Sequence, residues 1–335
     1  SIETFTSYHG IRLNYSHEPV HSDELWIRPQ GLLTASGITP QEIRCFEWQQ
    51  LPVFFGTNGD IPFDIFSASF YLLSRYEEYL PHTKDPYGRY AHTNSIAYQF
   101  DFLRRPLINE WMQAFTKLLQ QKFPQLKVTD DNTDFRFIPT YDIDEAYRYH
   151  YQPLWKNVLG FFRDLLRGDF AAVMERGNVY SGNMPDPYDS FDWLDELHQQ
   201  YSCRPIYFFL TLLKKGQYDK NLLSGNRGIR FLYQRLSQRY PIGLHPSWQS
   251  GSEQGLLQKE KEVLEQITGK PILRSRNHYL RFTIPQTYRN LIGSGIQEEY
   301  SMAYGNANGF RASYAKPFPW YDLENEKETG LVIHP

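Results

Sequence analysis

The sequence predicts an α/β protein in which a parallel sheet with intervening helices follows a smaller, mainly helical α+β domain. Short apolar runs alternate with amphipathic stretches from about residue 131 onward, which is the order expected of βα units. A polar run, Thr129-Asp130-Asp131-Asn132-Thr133-Asp134, separates that region from what precedes it, as a linker does. The 335 residues also exceed the roughly 100 to 200 of one typical domain. The predicted domains are therefore 1–130 and 131–335.

In the first domain, Pro62 to Tyr79 carries apolar residues at i, i+3, i+4 and i+7, the pattern of an amphipathic helix, and Pro81 ends it. A second helix is predicted from Pro106 to Lys122, ahead of Phe123-Pro124. Beyond the boundary, strands are predicted at Phe135 to Tyr141, Ile206 to Thr211, Ile242 to His245, Ile272 to Ser275, Tyr300 to Met302 and Gly330 to Ile333. Helices are predicted between them at Trp155 to Arg167, Phe170 to Arg176, Ser190 to Tyr201, Gly228 to Tyr240, Glu253 to Thr268 and Pro285 to Ile292. No internal repeat or low-complexity tract interrupts the pattern. The chain opens on Ser rather than Met and closes inside an apolar run, Leu331-Val332-Ile333-His334-Pro335, so a longer native chain is expected, with a leader removed or omitted.

Composition narrows the function classes. Hydrophobic residues at 41% and charged residues at 22% describe a globular chain able to build a core. A net charge of -3 provides no general attraction for a polyanion, so no nucleic-acid partner is expected. No run approaches the roughly 18 apolar residues of a membrane span. The only cysteines, Cys45 and Cys203, belong to no metal-ligand spacing, which argues against a disulfide framework and a cysteine zinc site. A cytoplasmic location is expected, and the oligomeric state is not encoded in any of these features.

The chemistry concentrates at Phe137-Ile138-Pro139-Thr140-Tyr141-Asp142-Ile143-Asp144. A strand alternates its side chains between faces, so Asp142 and Asp144 project to one side if strand geometry persists to its end. Two explanations are open locally. One carboxylate acts as a general base while the other holds a cation, or both are merely solvated where a strand meets a loop. The ends of the other predicted strands carry His245, then Arg276 and His278, then His334. In a parallel sheet those C-terminal ends share an edge, where an Asp, one or two His and an Arg behind them can hold a divalent ion and a water.

This order of residues resembles the polysaccharide deacetylase, or NodB-homology, family of carbohydrate esterases, from about residue 131 to the end. Pro62-Phe63-Asp64-Ile65, Ser74-Arg75-Tyr76-Glu77-Glu78-Tyr79 and Gly309-Phe310-Arg311-Ala312 resemble a bacterial branch that carries an extra N-terminal domain. The resemblance implies a distorted (β/α) barrel and metal-dependent hydrolysis of an N-acetyl or O-acetyl group on a saccharide or cell-surface polysaccharide. It implies Asp142 as base, Arg276 as the group that orients the base, and His334 as general acid. A divalent metal, zinc above all, falls to Asp144 and His245, with Gln249 standing where the family has its second motif His and His278 as the substitute ligand. Three departures are visible: the carboxylates are spaced Asp-x-Asp instead of adjacent, Gln249 replaces a His, and Val332-Ile333-His334 replaces Leu-x-His. Tyr188, Trp248, Tyr279 and Tyr304 are expected to line the saccharide groove, since aromatic faces stack on sugar rings. Two alternatives stand beside this reading. One is a catalytically inactive relative that binds saccharide, favoured by Gln249. The other is a glycosyltransferase whose Asp-x-Asp chelates manganese, disfavoured because Asp142 opens the second domain instead of following a nucleotide-binding one.

Overall fold

The computed structural model of the protein describes residues 2–128, 137–253 and 255–335. The chain is mixed α/β and forms two compact units. One comprises Ser1–Asp134, Phe282–Ile292 and Glu298–Pro335, the other Phe135–Arg281 and Gly293–Gln297. Residues 282–292 and 298–335, which the sequence assigns to the second domain, thus group with the first unit. The expected junction at 130/131 and its polar run lie in 129–136, outside the described residues.

The N-terminal part of the first unit runs α1 (Ile2–Ser7), β1 (Arg12–Tyr15), β2 (Glu24–Ile27), β3 (Phe46–Trp48), β4 (Leu51–Val53), α2 (Ile65–Leu73), α3 (Tyr76–Tyr79), α4 (Ile96–Gln99) and α5 (Leu107–Lys122). β1 and β2 pair in parallel, and β3 and β4 antiparallel. Their inward residues, with Phe54, Phe63 and Trp111, form one apolar core. α2 starts at Asp64, whose buried carboxylate accepts from Ser67 N at 3.0 Å and from Tyr15 Oη at 2.9 Å. This N-cap ties the helix to β1. The single helix predicted over Pro62 to Tyr79 is instead two. Arg75 adopts a left-handed conformation, φ 55°, which breaks the helix and turns its guanidinium onto Glu77 and Glu78, each at 2.8 Å.

The second unit follows with β5 (Thr140–Ile143), α6 (Leu154–Leu166), α7 (Phe170–Tyr180), α8 (Phe191–Gln200), β6 (Ile206–Leu210), α9 (Arg227–Arg239), β7 (Ile242–His245), α10 (Leu256–Thr268) and β8 (Arg274–Ser275). The strands lie in the order β5-β6-β7-β8 and pair in parallel, with Asp142 opposite Phe208, Leu210 opposite His245 and Leu244 opposite Ser275. Every residue of β6 is buried, as expected of an interior strand whose apolar run is unbroken. Tyr233 of α9 stacks on Phe209 at 4.1 Å between ring centres. The predicted strand Phe135 to Tyr141 falls partly outside the described residues. The strand formed is Thr140–Ile143, and Phe137 and Ile138 are exposed. β5 stands at the edge with β6 as its one strand neighbour among the described residues, so the expected closed barrel is not shown.

The chain ends with α11 (Gln286–Gly293), β9 (Glu298–Glu299), β10 (Phe318–Asp322) and β11 (Lys327–Ile333). β11 pairs antiparallel with β10 and parallel with β9. The strand expected at Tyr300 to Met302 forms instead at Glu298–Glu299. β10 is not among the strands the sequence predicts; a Pro inside a short apolar run argues against a strand. Here Pro319 is accommodated where the register shifts between Pro319 and Tyr321.

Candidate metal centre

Because β5 to β8 are parallel, their C-terminal ends share one edge of the second unit's sheet. Asp144 follows β5, His245 ends β7, and Arg276 and His278 follow β8. Asp144, His245 and His278 converge there. His245 Nε2 lies 2.9 Å from His278 Nδ1 and 3.2 Å from Asp144 Oδ1, and His278 Nδ1 lies 3.4 Å from the same oxygen. Both imidazoles are buried, whereas the Asp144 side chain is half-exposed.

The far nitrogen of each ring decides which atoms carry lone pairs. His245 Nδ1 is 2.6 Å from the carbonyl oxygen of Arg276, and His278 Nε2 is 3.2 Å from that of Tyr218. A carbonyl only accepts, so each of these nitrogens bears the proton. In the neutral rings the converging nitrogens, His245 Nε2 and His278 Nδ1, are then both acceptors. With both rings neutral, two imidazole lone pairs and a carboxylate oxygen face one another, which a cation would satisfy; with a proton on a facing nitrogen, that ring donates to Asp144 instead. Donors at about 2.0 to 2.2 Å from a tetrahedral ion stand roughly 3.3 Å apart, close to the separations found here. Burial pushes the Asp144 carboxyl up, but its hydrogen bonds and charge interactions with His245 and His278 outweigh this and hold it well below the usual carboxylate range. Burial lowers His278, and Asp144 more than compensates, so its pKa is raised.

Asp142 projects to the same side as Asp144, as strand alternation predicts. Its Oδ2 is 4.0 Å from His245 Nε2, and its Oδ1 is 3.2 Å from Arg276 Nη1. Arg276 also donates to Thr140 Oγ1 at 2.9 Å and lies over the Phe208 ring, 4.7 Å from its centre. The guanidinium is thereby held from three sides.

Gln249 donates its amide nitrogen to Asp219 Oδ2 at 3.3 Å. His334 lies in the first unit, stacked on Tyr300 at 4.2 Å with its Nε2 3.3 Å from Glu298. Of the rings expected to line a groove, Trp248 and Tyr279 cluster with Tyr218 beside His278, their centres 4.2 to 5.5 Å apart. Tyr188 lies instead beside Arg148, and Tyr304 is buried in the first unit against Arg311.

Three supporting residues had no signal in the sequence beyond being polar. Asn221 donates to the carbonyls of Ile143 at 3.0 Å and Leu210 at 3.3 Å, and so clamps the segment that carries Asp144 to the end of β6. Asp219 accepts from Trp248 N at 2.9 Å. Glu260, on α10, accepts from Ser247 N and Ser250 Oγ at 3.0 and 2.5 Å and anchors the turn after His245. Two strained residues, Tyr279 and Leu280 with φ of 59° and 52°, follow His278 directly.

Residues 1–124 match the model of a family of unknown function, DUF7033. No curated protein matches the chain. Among solved structures the chain is similar to one described as "putative polysaccharide deacetylase from Mycobacterium smegmatis", at 11% identity and a TM-score of 0.37, over 62% of this chain and 60% of that one. The likeness is too distant to carry an argument, and the functional reading rests on the residues themselves. No helix among the described residues is long and apolar enough to cross a membrane.

Proposed function

We propose that Asp144, His245 and His278 hold one divalent cation, zinc by the character of the donors, and that the second unit is a hydrolase removing an acyl group, acetyl first, from an amino sugar or related saccharide. The observation that carries this reading is the convergence of two imidazole lone pairs and a carboxylate oxygen within 3.4 Å, beside a second carboxylate steadied by an arginine. Two nitrogens and an oxygen suit zinc, and three protein ligands leave a position open for water or substrate.

A divalent ion bound there supplies Lewis acidity for the acyl carbonyl and makes water a better nucleophile. The remaining roles belong to the chain. Asp142, whose free position beside His245 faces the same side as the ligands, takes the proton of the attacking water. Arg276 keeps that carboxylate aimed. As water adds to the acyl carbon the C–N bond breaks, and Asp142 returns the proton to the departing nitrogen, yielding a carboxylate and a free amine. His334 is assigned no step. Trp248, Tyr218 and Tyr279 offer aromatic faces beside His278 on which a sugar ring can stack.

The test is amine release from acetylated chito-oligosaccharides by the zinc-loaded protein. Release should require zinc and fall about 100- to 10,000-fold in Asp142→Asn. Release that survives the substitution would remove Asp142 as base. Zinc and saccharide binding without turnover would favour a saccharide-binding protein, the reading supported by the engagement of Gln249 with Asp219.

A further inference from the structure

The hairpin of α6 and α7 in the second unit is built with its polarity reversed. The buried residues of α6 are Asn157 and Asp164, and those of α7 are Arg176 and Val179. Arg176 donates to Asn157 Oδ1 at 2.9 Å and to Asp164 Oδ2 at 2.7 Å. It reaches them across Gly160, where a Cβ would stand 2.7 Å from the guanidinium. The interior of the hairpin is therefore an ion pair and an amide. The apolar side chains are outside: Leu154 is 75% exposed, Trp155 65%, Leu159 61%, Phe162 55% and Leu166 88%, and on α7 Phe170 and Met174 are exposed too.

At about 100° per residue, the exposed apolar residues of α6 occupy one continuous arc of roughly 160°. Lys156, Arg163 and Arg167 fall together along one border of that arc, and all three are exposed. The one acid of α6, Asp164, is turned inward but also pairs with Arg163 at 2.8 Å, which leaves Lys156 and Arg167 as the border cations that it does not neutralise. At the N-terminal end a hollow of about 540 Å³ is lined by Leu154 and Tyr180 together with His150 and Arg227. A wide apolar stripe edged by cations is the composition of a helix that lies in a membrane interface. With 13 residues, α6 is about 20 Å long, short of the roughly 30 Å hydrocarbon layer. Lying flat is the geometry that buries the stripe.

We propose that this face docks on the surface of a lipid bilayer containing anionic headgroups, with α6 in the interface plane, Trp155, Leu159 and Phe162 among the acyl chains, and Lys156 and Arg167 at the phosphates. A second copy of the chain is the weaker occupant. A two-fold contact sets the same surface against itself, so an antiparallel one would bring Lys156 and Arg167 beside their own counterparts. The inference is independent of the metal site.

The test is co-sedimentation of the full chain with vesicles of phosphatidylcholine alone and of phosphatidylcholine mixed with phosphatidylglycerol. Binding should favour the anionic vesicles and weaken at about 0.5 M salt, where charge is screened within a few Å. Lys156→Gln with Arg167→Gln should lower partitioning about fivefold per cation. Trp155→Ser with Leu159→Ser and Phe162→Ser should abolish it while circular dichroism and the thermal midpoint stay those of the wild type, since all three side chains are exposed. Quenching of tryptophan emission by brominated acyl chains reads the same contact in the wild-type protein without any variant. Failure to sediment with either vesicle, binding that the triple substitution leaves intact, or a dimer that the triple substitution dissolves without any vesicle binding would each overturn the proposal.

Discussion

Two clusters of ionisable side chains in this chain obey opposite rules. In the first unit, Arg75, Glu77, Glu78 and Arg311 are all buried, and each charge meets its opposite. Arg311 Nη2 is 2.6 Å from Glu78 Oε2, and Arg75 bridges Glu77 and Glu78 at 2.8 Å. Burial pushes Glu78 up, yet the two guanidiniums overcome it and hold the carboxyl down at about 2. At the rim of the second unit, the ligand atoms of Asp144, His245 and His278 converge instead, a carboxylate oxygen and two ring nitrogens facing one another. The first cluster is closed and satisfied, which is what a structural network needs. The second is the one that a divalent cation would complete. In the proposed reading, electrostatic completeness, more than burial or residue type, separates the part of the molecule that holds shape from the part that would hold a ligand.

The sharpest way to break that contrast is to open the closed cluster. Arg311→Met leaves Glu78 buried with one of its two partners, and should cost about 3 to 5 kcal/mol in urea unfolding. A change within 1 kcal/mol would mean that the network contributes little. Glu260 is an intermediate case, a carboxyl buried beside Ser247 and Ser250, and burial pushes it up from its ordinary 4.5 to about 7. The folded state therefore holds this proton more tightly than the unfolded chain. Its contribution is full below about pH 4.5 and is lost as pH rises through about 7, a difference of about 3 kcal/mol. Urea midpoints compared across that range should fall with pH in the wild type and flatten in Glu260→Gln.

Asn221→Ala should cost about 2 kcal/mol by stranding the buried carbonyls of Ile143 and Leu210, and should weaken metal binding because Asp144 is no longer clamped. Loss of stability with unchanged metal affinity would show that the clamp only holds the sheet. Smallest is the exposed pair of Lys214 and Glu253. Lys214→Met should shift stability by less than about 1 kcal/mol, the baseline against which the buried clusters are read.

The convergence of Asp144, His245 and His278 was legible in outline because strand geometry brings such residues to one edge. Alternation put Asp142 and Asp144 on one side, and parallel strands put His245, Arg276 and His278 at the same edge. What was not legible depends on tertiary partners. Glu260 sits in a charged helix, Leu256–Thr268, where nothing local distinguishes the one carboxyl that turns in toward Ser247. Arg75 reads as an ordinary position in an amphipathic stretch, and only the left-handed turn that meets Arg311 shows why the helix stops there. The α6 hairpin is the clearest case. Its period predicts a helix almost to the residue, but a period says only that one face differs from the other. It does not say which face turns inward.

Titration of the metal-free protein with zinc tests the central claim most directly. The wild type should bind one ion per chain, and Asp144→Asn and His278→Gln should each weaken binding by at least about 100-fold while circular dichroism stays unchanged. Equal affinity in all three proteins, or no binding by the wild type, would contradict the assignment of Asp144, His245 and His278 as a metal centre.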